Sequence, residues 1–220
     1  MRGILFTGGY GPDMALAGRF LDSGDFVIAA DSGLVIAEKA GIVPDLIVGD
    51  MDSLDDASIL SRYPEERIKI WPRDKDYTDT ELALAALADR GINDIILIGG
   101  SGGRIDHFLA LRALFDRQYC PSLWLGDTSL VVAVGSGTPS STIRISGLCD
   151  ADPVSVFAAG AGPHRPSGPG FHWAVDRLAW EKGEFSLSNR AETGSVDFTA
   201  RSGRFFLVVP LTRAIEIERR

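Results

Sequence analysis

Short apolar runs alternate with helical stretches through the first half of the chain, and the two periods predict different elements. Residues 26–30 are continuously apolar and predict a buried strand ending at Asp31. Residues 32–40 then predict a helix stopped by Gly41, and 45–48 a strand ending at Gly49 and Asp50. A further short strand, 68–71, precedes Pro72. Thr78-Asp79-Thr80-Glu81 has the form of a capping box: Thr78 caps a helix N-terminus and Glu81 reaches back to it. The Leu/Ala-rich helix behind it ends near Arg90, where Gly91 supplies a left-handed stop. Residues 94–98 predict the next strand and 99–103 its exit loop, after which Ile105, Phe108, Leu109 and Arg112 follow helical spacing.

After Pro121 the helical period disappears. Short strand-like runs at 130–134, 142–145, 154–157, 184–187, 195–198 and 204–209 are separated by turn residues, with 160–170 the richest in Gly and Pro. No internal repeat is present. The pattern predicts an α/β N-terminal domain with a mostly parallel sheet, residues 1–125, followed by an all-β, sandwich-like C-terminal domain, residues 126–220.

Composition narrows the function classes. With 45% hydrophobic and 24% charged residues, wholesale disorder is excluded. No apolar run approaches the roughly 20 residues needed to span a bilayer, so no membrane role is expected. Cys120 and Cys149 suit neither a disulfide framework nor a zinc site, which predicts a reducing, cytoplasmic setting. The net charge of -8 argues against a nucleic-acid partner. Eleven acids and five bases fall between Gly41 and Glu81, so most of the excess charge sits in one stretch. On charge alone a solvated acidic face is the favoured account of that stretch; packed acids separated by a cation are the other.

Several predicted strands end in acidic or glycine-rich loops: Asp31-Ser32-Gly33, Gly49-Asp50-Met51-Asp52-Ser53, Asp74 to Asp79, and Gly99-Gly100-Ser101-Gly102-Gly103-Arg104. In open α/β sheets such loops line one crevice, which here would suit Mg²⁺ and phosphate. Asp50 and Asp52, two residues apart, would project from one face of an extended segment about 6.6 Å apart. Two ligands of one Mg²⁺ lie within about 4.2 Å of each other, so the side chains must converge, and Gly49 permits the bend. An Asx turn followed by a helix cap, from Ser53 or Asp55 onto residues 56–62, explains the same residues without a metal. Asp79 in a first helical turn complements the helix dipole, and the glycine loop with Arg104 is suited to an anion. It is neither a Walker loop nor a dinucleotide fingerprint.

Taken in order, four motifs resemble the thiamine pyrophosphokinase family: Ala30-Asp31-Ser32-Gly33; Pro44 through Ser53; Lys75 through Ala83; and Gly99 through His107. Gly170-Phe171-His172-Trp173-Ala174-Val175 and Ser186-Leu187-Ser188-Asn189 extend the likeness more weakly. The resemblance implies an ATP-binding catalytic α/β domain and a β-sandwich that binds thiamine and forms a homodimer with active sites between subunits. It implies transfer of pyrophosphate from ATP to thiamine, giving thiamine diphosphate and AMP. Asp50, Asp52 and Asp79 would hold Mg²⁺, with Asp76 among the catalytic residues. Asp31, Ser32, Gly33, Lys75, Gly100, Ser101, Gly102, Gly103, Arg104, Asp106 and His107 would take ATP, while Trp173, Ser188 and Asn189 would line the thiamine pocket. Leu111 stands where the family usually has Asn, Ala174 where it has Pro, and Arg190 where an acid is common. A Mg²⁺-dependent nucleotide hydrolase and a non-catalytic nucleotide-binding module are the alternative readings.

Overall fold

A computed structural model describes every residue except Asp55, Ala151 and Lys182, so the expected Asp55 cap lies outside the described residues. Contacts divide the chain into two compact units: Met1–Leu109 with Leu125–Asp127, and Ala110–Trp124 with Thr128–Arg220. The sequence pattern put the division at 125/126; the contacts give Ala110–Trp124 to the second unit and return Leu125–Asp127 to the first.

Five strands build the first unit's sheet: β1 (Gly3–Phe6), β2 (Phe26–Ala30), β3 (Leu46–Gly49), β4 (Ile68–Ile70) and β5 (Ile95–Ile98). They lie parallel in the order β5-β1-β2-β3-β4. Residues of β1, β3 and β5 are buried throughout, as expected where a parallel sheet is covered on both faces. The helices are α1 (Met14–Ala17), α2 (Gly33–Lys39), α3 (Asp79–Ala88) and α4 (Ile105–Ala113), which passes from one unit into the next. Of residues 56–62, expected as a helix, Ala57–Arg62 form a 3-10 helix instead; the Asp56 carboxylate caps it by accepting from Ser58 N at 2.9 Å.

The chain steps outward from β1 to β4, then returns to the other side of β1 as β5. That reversal is a topological switch, and ligands of open α/β sheets bind at the carboxyl ends of the strands there. The segments leaving β1, β2, β3 and β5 are Thr7–Tyr10 in position, Asp31, Asp50 and residues 99–104.

The second unit holds β7 (Ser129–Gly135), β8 (Thr142–Ser146), β9 (Pro153–Ala159), β10 (Arg165–Ser167), β11 (Phe185–Arg190), β12 (Ser195–Ser202), β13 (Arg204–Pro210) and β14 (Glu216–Arg219), with β6 (Leu123–Leu125) at the boundary. One sheet runs β11-β9-β13-β7 and the other β10-β12-β8-β14, all antiparallel. On β8 and β12 alternate residues (Ile143, Ile145, Val196, Phe198) face inward, and Phe198 meets Phe205 of β13 edge-on at 5.2 Å. The Arg204 guanidinium is buried, and it donates to the carbonyls of Ser136, Phe115 and Arg117, which relieve the cost of desolvating it. Among the described residues no helix is long and apolar enough to cross a membrane.

Candidate functional site

Two loop conformations shape an acidic rim on the first unit. Asp31, directly after β2, has φ 48°, and Met51, just beyond β3, has φ 64°. Left-handed backbone costs non-glycine residues on the order of 1 kcal/mol, so both loops are held by their surroundings. Asp31 N donates to Val48 O at 2.8 Å, tying the exit of β2 to β3. Ser32 and Gly33 open α2 immediately behind; a Cβ at Gly33 would fall 2.3 Å from Phe6 O, so only glycine lets α2 start this close to β1.

Asp79 arrives from the other direction. The Thr78 hydroxyl accepts from Glu81 N at 3.3 Å and the Glu81 carboxylate accepts from Thr78 N at 2.8 Å, completing the capping box. One turn position later, buried Thr80 shares a 2.7 Å hydroxyl contact with Thr7, the residue after β1. The start of α3 is thereby fixed to the mouth of the sheet, and Asp79 with it.

Oxygens of Asp31, Asp50 and Asp79 all lie within 4.8 Å of one another. Lys75 Nζ sits 2.9 Å from Asp50 and 3.1 Å from Asp79, one ammonium against three carboxylates. Burial pushes the Asp31 and Asp79 carboxyls up, whereas the hydrogen bond from Lys75 holds Asp50 down. Burial would lower Lys75, yet its contacts with Asp50 and Asp79 outweigh that and hold the ammonium above its usual range. Oδ1 of Asp31 and Oδ1 of Asp79 are buried without a hydrogen bond, although the Lys75 ammonium lies 3.1 Å from the latter as an ion pair. An all-oxygen, carboxylate set with unsatisfied acceptors fits a hard divalent cation such as Mg²⁺.

The other expected residues fall less evenly. Asp52 and Asp76 are outside the group of three. Asp52 pairs with Arg73 at 2.9 Å and accepts from the Ser53 hydroxyl, while its own N–H donates to Asp50 in an Asx turn of 3.1 Å. Asp76 is exposed. In the glycine loop, the Gly100 and Ser101 amides are engaged by Gly8 O and Tyr10 O, leaving the exposed tip at Gly102 and Gly103 accessible to an anion. Arg104 places its fork on Asp106, with Nε 3.1 Å from Oδ1; the guanidinium holds that carboxyl below its usual range. His107 is exposed at the start of α4.

Tyr10 carries a signal the sequence pattern did not yield. Its backbone pairs with Ser101 in both directions (2.7 and 3.1 Å), and a Cβ at Gly102 would strike its ring at 2.2 Å. The exposed phenol ring therefore lies against the glycine loop.

At the second unit, Ser188 has φ 54° on β11, at an irregularity in its pairing with β9. Asn189 is fully buried and its side chain is spent locally: it accepts from Trp173 N and Arg190 N and donates to Trp173 O and Ser186. Trp173 itself is exposed.

Comparisons with known proteins bear on the fold and the first domain. The family model described as thiamin pyrophosphokinase, catalytic domain, matches residues 17–125, about half of the chain. The thiamine pyrophosphokinase of Bacillus subtilis is 33% identical over 93 residues, 41% of this chain and 42% of that protein's length. Its crystal structure superposes with a TM-score of 0.75 at 20% identity, covering 96% of this chain and 100% of that one. Thiamin pyrophosphokinase from Geobacillus thermodenitrificans gives 0.71 at 22% identity over 96% and 97%, and the yeast enzyme 0.64 at 15% over 96% and 87%. At such identities the superpositions establish the fold: an α/β domain followed by a β-sandwich. Fold and matched domain are those of the thiamin pyrophosphokinases, and the chain spans under half the length of the curated relative it matches. Over that domain the chain is similar to the thiamin pyrophosphokinase family.

Proposed function

We propose that the protein transfers pyrophosphate from ATP to the hydroxyl of thiamine, giving thiamine diphosphate and AMP. The observation that carries this reading is the rim itself: oxygens of Asp31, Asp50 and Asp79 within 4.8 Å of one another, two of the residues with a buried oxygen that makes no hydrogen bond. Asp31 takes the place the sequence pattern offered to Asp52, and Asp31, Asp50 and Asp79 would hold Mg²⁺. When bound, Mg²⁺ would neutralise the triphosphate and polarise the phosphorus under attack.

The remaining work belongs to this chain's own residues. Phosphoryl-type transfer asks mainly for positioning and charge neutralisation. Lys75, already held charged between Asp50 and Asp79, is placed to meet a phosphate oxygen at the rim. Arg104 can turn its fork from exposed Asp106 to phosphate at small cost, because surface ion pairs are worth little. The hydroxyl oxygen of thiamine gives up its proton, which passes to solvent, and bonds to the β-phosphorus as the bond from that phosphorus to the α–β bridging oxygen breaks. AMP leaves with the bridging oxygen.

Trp173, held by Asn189, offers an aromatic face for the acceptor. A homodimer belongs to the same reading: Ile105, Phe108 and Leu109 of α4 and Phe185 and Leu187 of β11 are exposed apolar residues.

Incubation of the purified protein with ATP, Mg²⁺ and thiamine should yield thiamine diphosphate and AMP in equal amounts, with no AMP when thiamine is omitted. AMP or phosphate released equally without thiamine would show a nucleotide hydrolase instead. ATP binding with no turnover would show a binding module.

A further inference from the structure

The residue after Asn189 has a place in the geometry that neither the fold nor the rim explains. Asn189 clamps both backbone polar groups of Trp173, at 3.1 Å to its N and 2.7 Å to its O, so the indole is presented from a fixed backbone. Trp173 is 57% exposed, and the His172 ring packs edge-on against it with centroids 4.6 Å apart. The Arg190 guanidinium lies over the Trp173 ring, 5.8 Å from its centroid. Its Nη2 is 3.4 Å from His172 Nε2, and His172 Nδ1 is 3.7 Å from the Glu192 carboxylate.

A tryptophan face attracts one cation at a time, because guanidinium and aromatic cation seek the same negative π-surface. Like charges brought together there also repel, more strongly than in bulk water where solvent is partly excluded. Resting on the functional reading above, we propose that Arg190 is a specificity-determining residue that competes with a cationic heterocyclic acceptor for the face of Trp173. Thiamine, whose thiazolium ring is positively charged, must displace the guanidinium to stack. An uncharged acceptor ring displaces it without the repulsion. Arg190 therefore sets how strongly the site takes cationic acceptors, and Asn189 is a positioning residue that keeps the contested face in one place.

The test is steady-state kinetics on the whole chain with ATP and Mg²⁺, comparing wild type, Arg190→Leu, Trp173→Leu and the double variant. Arg190→Leu should lower KM for thiamine about three- to fivefold, with kcat within twofold. In the Trp173→Leu background the same substitution should leave KM unmoved, because the contested face is gone. Arg190→Lys, which keeps the charge, should stay within twofold of wild type. A KM that rises or does not change in Arg190→Leu overturns the proposal, as does an equal fall in both backgrounds. Wild-type turnover is read first: its absence overturns the functional reading and this inference with it, whereas normal turnover with an unmoved KM overturns the inference alone.

Discussion

The acidic rim of the first unit and the Trp173–Asn189 corner of the second handle buried polarity in opposite ways. At the rim, Asp31 and Asp79 each keep a buried oxygen without a hydrogen bond, and one lysine is shared between Asp50 and Asp79. At the corner, Asn189 is fully buried and its side chain makes four hydrogen bonds within the same unit. An unsatisfied buried acceptor typically costs about 1–3 kcal/mol, so the rim is destabilising on its own account and the corner is not. The difference separates groups kept for something that binds from groups kept for something that must stay still.

The largest expected effect breaks the rim. Asp79→Ala should lower formation of thiamine diphosphate by about 10³-fold or more while the thermal melt stays cooperative. Undiminished turnover would remove Asp79 from the site.

Stability measurements sharpen the contrast in sign. Asn189→Ala leaves the Trp173 and Arg190 backbone groups without partners and should destabilise the fold by about 2–3 kcal/mol in denaturant melts. Asp31→Asn should do the reverse, stabilising the metal-free protein by about 1 kcal/mol while abolishing activity. The Asp31 carboxyl is raised by burial, so the folded state binds its proton more tightly than the unfolded chain does. Its contribution is present below the ordinary carboxylate range and is lost as pH rises through the raised value. The advantage of Asp31→Asn over wild type should accordingly grow with pH across that window and vanish at its acid end. An advantage that grows toward acid would contradict the rim's account.

The smallest effect is local. Thr78→Ala removes one half of the capping box at the start of α3 and should cost about 1 kcal/mol, with a modest loss of activity because Asp79 is the first residue of that helix.

The parts legible in the sequence are those where one local rule decides. The capping box at 78–81 appears at the start of α3 with both reciprocal bonds, and the strands expected at 26–30 and 94–98 appear as β2 and, from Ile95, as β5. Where two rules compete, the pattern is silent or incomplete. The spacing of Asp50 and Asp52 implies one face only if the backbone stays extended; Met51 at φ 64° breaks the alternation and turns Asp52 toward Arg73. Asp31 joins Asp50 and Asp79 through the parallel pairing of β2 and β3, a contact no local motif encodes. β14 escaped notice because Glu216-Ile217-Glu218-Arg219 is short and mostly charged, as an edge strand is. Tyr10 was hidden in a Gly-rich segment whose meaning depends on its pairing with Ser101.

The central claim is that the rim takes Mg²⁺ together with a triphosphate. Titration calorimetry of a non-hydrolysable ATP analogue, with and without Mg²⁺, into the wild type and Asp79→Asn tests it most directly. The account predicts wild-type binding that requires Mg²⁺ and weakens at least about tenfold in the variant. Equal affinity in both proteins, or binding indifferent to Mg²⁺, would contradict it.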